Sequence, residues 1–233
     1  MYEIWEWITY QFQITFIDSS RYKFFLTGLQ NTLIIAAAAI AIGVIIGSLV
    51  AIVRVYYSQS GKLKALNNIC GVYLAIFRGT PIVVQLLIVY YIIFASLDNA
   101  LLVAIITFGF NSGAYVAEIV RAGILAVDVG QLEAGQSLGL TYGKTMRLII
   151  LPQAIKNILP ALGNEFVVLL KETSVAGFIT VFDLARAGDY IRSRTMEPYF
   201  SLIFIALIYF VLVFVFSHLV KMLERRLRQG DRS

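Results

Sequence analysis

Residues 133–152 read EAGQSLGLTYGKTMRLIILP, a polar stretch between two long apolar runs. Glu133-Ala134 leads it, Gly139 stands in its middle, and Ile149-x-Leu151-Pro152 closes it. Just ahead, Asp128 and Gln131 suit a helix start, the carboxylate capping free backbone N–H groups and the amide reaching back. The spacing predicts a short helix to about Leu138, ended by Gly139 in a left-handed turn. Pro152 then falls in the first turn of the next helix. Leu132 and Leu138 are placed to enter a groove on a partner, while Glu133 offers an acceptor to a basic residue there. Gly139 to Thr145, GLTYGKT, looks like a phosphate-binding loop, but its glycines are one residue too close and no buried strand precedes them.

The flanking runs decide the fold class. The chain has 233 residues, 59% hydrophobic and only 14% charged, with mean hydropathy +0.81, which is too apolar for an ordinary soluble domain. One cysteine (Cys70) and one histidine (His218) exclude a disulfide framework and a Cys/His zinc cluster. A helix needs about 20 apolar residues to cross the hydrocarbon core. Five stretches qualify: about Leu26–Val53, Tyr73–Ala95, Ala100–Val120, Ile155–Leu170 and Tyr199–Val220. The expectation is an all-α polytopic membrane protein with five transmembrane helices and no internal repeat. Five spans cannot be halved as in many secondary transporters, which points to a pore completed by a second subunit.

Charge orients the bundle. Segments 54–64, 121–156 and 218–233 hold twelve Lys and Arg residues, against six on the other side (Arg21, Lys23, Lys171, Arg186, Arg192, Arg194). The positive-inside rule therefore puts the 128–152 loop and the C-terminus in the cytoplasm and the N-terminus outside. The net charge of +5 sits beside apolar spans, which favours lipid over nucleic acid as its partner. Residues 1–25 have no basic n-region and so no signal peptide. Trp5, Trp7, Tyr10 and Phe12 suit an external interfacial segment, with a flexible tail as the alternative. Residues 26–224 form the transmembrane domain, and 225–233 a basic cytoplasmic tail.

The spacing of Glu133, Ala134, Gly139, Ile149, Leu151 and Pro152 resembles the EAA loop of ATP-binding-cassette importer permeases, with Gly135 where the family has alanine. Residues 157–174, NILPALGNEFVVLLKETS, resemble the polar amino acid permeases of that family, of histidine, glutamine or arginine type. Asn111 to Glu118, NSGAYVAE, and Arg78-Gly79-Thr80-Pro81 resemble further segments of the same permeases. The resemblance implies a type I importer transmembrane domain whose EAA-like loop, with Glu133, Ala134, Gly139, Leu132 and Leu138, docks on two ABC ATPase subunits. ATP and Mg would be bound by those subunits and by no part of this chain, which is then not an enzyme. It also implies a second permease copy, identical or related, an external substrate-binding protein, a polar amino acid substrate and a bacterial inner membrane location.

Charged groups within a span generally face a cavity or a partner, because mid-bilayer placement costs roughly 2.5–3.5 kcal/mol. Glu165, beside Asn164, is a candidate to receive a substrate ammonium; the other reading is an ion pair with Arg78 or a lysine. Asn111, Ser112 and Tyr115 either line a polar cavity or serve helix packing. Glu118 and Arg121 lie three apart and pair on one helix face. Gly79 and Pro81 mark either a hinge or a fixed kink, and Gly43/Gly47 and Gly109/Gly113 permit close helix contact. Residues 171–197 suit a helix-containing external cap. An ion-coupled transporter or passive channel, with the acids carrying protons or ions, is the alternative function.

Overall fold

The computed structural model describes residues 2–229, so part of the basic tail, 230–233, lies outside the described residues. The helices in chain order are α1 (Tyr2–Phe12), α2 (Tyr22–Ser60), α3 (Lys64–Gly79), α4 (Ile82–Ile88), α5 (Ala100–Leu125), α6 (Val129–Ser137), α7 (Tyr142–Thr145), α8 (Leu151–Glu172), α9 (Leu184–Thr195) and α10 (Pro198–Gln229), with no strand among the described residues.

The centre is the seam between α2 and α5. Between helices in lipid, apolar burial gives little net drive, so close packing of small residues holds them together. A Cβ on Gly47 would lie 2.6 Å from Val116 Cβ, so only glycine lets the helices approach this far. Ile42 meets Gly109, Gly43 meets Ser112 and Gly47 meets Val116, and Val55 clusters with Ile124. The numbers rise together, so α2 and α5 run in the same direction and the chain between them must return. The return path is α3 and α4, bent by 109° at their junction. Further along, Ile158 meets Gly123 and Glu165 meets Ser112, so α8 runs against α5. Val220 meets Gly163 and Phe216 packs on Phe166, which turns α10 back again.

Three helices are long and apolar enough to cross a membrane (Tyr22–Ser60, Ala100–Leu125 and Pro198–Leu227), and the bent pair α3–α4 passes as a fourth. Helix α8 has 22 residues but is not apolar enough to join them. Its exposed stripe explains why: Asn157, Asn164 and Lys171 lie on it seven residues apart.

The second stretch differs from the sequence expectation in both bounds and shape: it starts at Lys64 rather than Tyr73 and is broken in the middle. Pro81 lacks an N–H and pushes Thr80 to extended backbone (φ −123°, ψ 146°), so the helix ends at Gly79.

One end of the bundle carries the cap. Asp183 begins α9, accepting from the backbone N–H groups of Ala185 (3.3 Å) and Arg186 (3.0 Å). Thr32 of α2 accepts from Leu184 N (3.1 Å), and Asn31 donates to Phe182 O (2.8 Å), tying the cap to α2. Helix α1 leads to Phe16, whose ring packs on Phe25 and Phe204. Trp5, Trp7, Tyr10 and Phe12 are all exposed.

Candidate functional site

The loop at the opposite end from the cap folds as a helix and turn. Asp128 Oδ1 accepts from Gly130 N at 2.7 Å and opens α6. Gln131 does not reach back to complete the cap; its amide oxygen instead accepts from Gln153 Nε2 of α8 (3.3 Å). The helix stops at Leu138, and Gly139 takes φ +80°, a conformation strained for any residue with a Cβ. Leu140 N then donates to Gly135 O (3.1 Å), closing the turn. Gly135 is buried, and a Cβ there would lie 2.5 Å from Thr145 Cγ2 and 3.1 Å from Ile149 Cδ1. Glycine at this position is what lets α6 sit down on the 142–150 segment, which gives the departure from alanine a steric reason.

That seating sorts the five loop residues. Glu133 and Ala134 are exposed, and Leu138 is 81% exposed. Leu132 turns inward and packs with Val55, Ile124 and Ile150. Leu132 is half-buried against its own bundle, where the expectation had it entering a groove on a partner.

Within the bundle the polar residues form two groups. In the first, the break at Gly79–Pro81 frees carbonyls that lipid cannot satisfy, and Gln85 supplies the missing donor. Its Nε2 donates to Phe77 O (2.9 Å), Thr80 O (3.0 Å) and Thr80 Oγ1 (2.8 Å). Asn111 Nδ2 donates to Phe77 O (3.1 Å) and to Gln85 Oε1 (3.0 Å). Asn111 is therefore 3% exposed and committed to holding the bend. Gln85 was not singled out from the sequence; the signal was a lone amide in the apolar run IVVQLLIVYY.

In the second group, Ser112 Oγ donates to Glu165 Oε1 at 2.9 Å, joining α5 to α8. No ion pair reaches Glu165 among the described residues. Arg78, one proposed partner, lies instead 3.9 Å from Glu118 and over the Tyr115 ring at 5.7 Å. Glu118 also binds Arg121 at 2.8 Å, the pairing that their spacing predicts. Asn164 is exposed next to Glu165. The structure thus brings Ser112 to Glu165, places Tyr115 with Arg78, and assigns Asn111 to the bend. No group of three or more metal-binding side chains occurs among the described residues.

Known proteins resemble this chain in sequence and fold. The chain is 38% identical over 207 residues to the putative glutamine transport system permease GlnP of Rickettsia felis, covering 88% of this chain and 93% of that protein. It is 38% identical over 212 residues to the arginine transport system permease ArtQ of Bacillus subtilis, covering 89% and 94%. A crystal structure of an amino acid ABC transporter with histidines matches with TM-score 0.83 at 43% identity, covering 91% of this chain and 98% of that one. An inward-facing methionine ABC transporter shares the fold at 19% identity, with TM-score 0.75. Residues 43–229 match the binding-protein-dependent transport system inner membrane component family, and the chain belongs to it.

Proposed function

We propose that this chain is the permease subunit of an ATP-driven importer of polar amino acids. Five crossings, with the N-terminus outside and the C-terminus in the cytoplasm, fit the alternating directions of α2, α3–α4, α5, α8 and α10. Two copies, or this chain with a related one, enclose a path, and two ABC ATPase subunits dock on the α6 loops through Glu133, Ala134 and Leu138. Closure of the ATPases on ATP and Mg moves α6, and the Gln131–Gln153 contact and the Gly135 seat pass that motion to α8. An external binding protein delivers substrate on the side of the α9 cap. The relatives' names (glutamine, arginine) and the structural neighbour with histidines support a polar amino acid.

The single observation that carries the reading is Glu165: a carboxylate inside the bundle, held by one serine hydroxyl and left without a cation. Its remaining oxygen is an acceptor for a substrate ammonium, and the exposed Asn157–Asn164–Lys171 stripe of α8 continues a polar wall from it. Asn164 adds a hydrogen-bonding group beside the carboxylate, and the bend at Gly79–Pro81 stands as the hinge of the path.

The test is uptake in proteoliposomes holding the assembled transporter. Uptake should require the ATPase subunit and ATP hydrolysis. Uptake driven by an ion gradient alone would favour the ion-coupled reading.

A further inference from the structure

At the end of the bundle that carries α6, the elbow between α2 and α3 opens a cleft whose lining does not include Glu165. Arg54, Tyr57 and Ser58 of α2, Asn67 of α3 and Arg121 of α5 enclose about 330 Å³. The local charge is unbalanced. Glu118 is one carboxylate in the field of Arg54, Arg78 and Arg121, and Arg121 already holds it at 2.8 Å. Arg54 makes no ion pair within 4 Å among the described residues, and its Nε is buried with no hydrogen-bond partner. Lys62 and Lys64 stand exposed at the same elbow. The 16-residue helix α3 starts there with Leu63 at its cap position, no side-chain cap and no acid in the first turn, so its positive end is uncompensated.

The cleft's level also matters. Helix α2 has 39 residues, roughly 58 Å of rise against about 30 Å of hydrocarbon, so its last turns emerge among the headgroups. A second, apolar cleft of about 530 Å³, lined by Ile52, Ile124, Met146 and Leu151, shares Val55 with the first. A basic cleft beside an apolar one, with Val55 in the wall of both, fits a ligand with both characters.

We propose that the α2–α3 elbow binds the phosphate headgroup of an anionic phospholipid, with Arg54 as principal ligand and an acyl chain in the neighbouring apolar cleft. A guanidinium spans two phosphate oxygens, and the lysines add attraction at the membrane surface. The assignment rests on reading this elbow as lying at a membrane face; it is independent of substrate and of ATPase coupling. Inorganic phosphate shares the headgroup chemistry but cannot use the apolar cleft.

The test uses the full-length protein, delipidated in detergent, and follows its thermal unfolding with three probes: short-chain phosphatidylglycerol, phosphatidylcholine of the same chains, and inorganic phosphate. Phosphatidylglycerol alone should raise Tm. Arg54→Gln should weaken that apparent affinity about fivefold, while Arg225→Gln/Arg226→Gln, in the exposed C-terminal turns, should leave it unchanged. If Arg54→Gln does not fold, Asn67→Asp carries the same test, because it sets a carboxylate in the cleft without touching the seam. Equal shifts from the two lipids would overturn the proposal, as would wild-type affinity in the Arg54 or Asn67 variant. An equal shift from inorganic phosphate would overturn the lipid and assign a free anion. Because binding is read without transport or ATPase, failure here leaves the importer reading standing, and failed uptake leaves this one.

Discussion

The α6 loop and the interior of the bundle both hold polar residues in an apolar chain, and they use them in opposite ways. In the loop the backbone is fixed by Asp128, Gly135 and Gly139, and the side chains of Glu133, Ala134 and Leu138 are left facing outward. Inside the bundle the polar side chains are mostly consumed by one another: Asn111 and Gln85 by the broken helix, Arg121 and Arg78 by Glu118. Glu165 stands apart from these, with a single neutral partner. An unspent polar group on a rigid frame is what a docking or binding site needs, whereas a spent one marks structure. Substitutions in the interior should therefore cost stability, and those at Glu165 and on the outer face of α6 should cost function.

The largest effect is expected at Gln85. Gln85→Leu takes one donor from Thr80 O, leaves Phe77 O to Asn111 alone and strands part of the buried Asn111 amide, at roughly 1–3 kcal/mol for a buried group left unpaired. Thermal unfolding in detergent should fall by the equivalent of about 3 kcal/mol; a variant as stable as wild type would show that the bend does not need its staple.

Asp183 in the cap comes next. Burial pushes its carboxyl from the ordinary 3.8 up to about 6, against the opposing pull of the Arg186 and Ala185 N–H groups. The folded chain thus holds this proton more tightly than the unfolded chain. The contribution is most favourable below about pH 4, declines as pH rises, and its cost is complete above about pH 6. Asp183→Asn keeps a good helix cap and removes the titration. Its Tm should match wild type near pH 4 and exceed it at pH 7.5, by up to about 3 kcal/mol; parallel Tm–pH curves would detach Asp183 from the cap's stability.

The contrast between loop and interior also separates what was legible in the sequence from what was not. The α6 helix, its Asp128 start, the Gly139 turn and the Pro152 entry depend on neighbours within a few residues, and each appears where local chemistry puts it. The Glu118–Arg121 pair is legible for the same reason. The 109° bend is signalled by Pro81, but its size depends on Gln85 and Asn111, and Asn111 lies on another helix. Whether Asn111 lined a cavity or packed could be decided only when α5 met α3. Leu132 and Leu138 look alike in sequence because both are apolar residues of one short, largely polar segment. Only the seat made by Gly135 against Thr145 tells which of them faces inward.

At Glu165 the interior should behave like the loop. Glu165→Gln keeps an acceptor for the Ser112 hydroxyl, so stability should change little. Loss of the charge should weaken capture of an amino acid with a cationic side chain by about tenfold, the scale of one charge-assisted hydrogen bond. Uptake kinetics would show this, with ATPase association unchanged. Unchanged uptake would remove Glu165 from the path and leave it as an α5–α8 tie.

The smallest effects sharpen the comparison within α6 itself. Leu132→Ala removes packing against Val55, Ile124 and Ile150; the residue is half-buried, so the expected loss is about 1–2 kcal/mol of stability. Leu138→Ala touches nothing in this chain and should leave Tm within about 0.5 kcal/mol of wild type, while co-purification with the ATPase subunit weakens several-fold. Alanine is at least as good a helix former as leucine, so a shared phenotype cannot come from lost helix propensity. If both variants lost stability equally, α6 would be packed on both faces and would have no side free for a partner. If both lost only ATPase binding, the inward seat of Leu132 would be wrong, and with it the steric reason for glycine at 135.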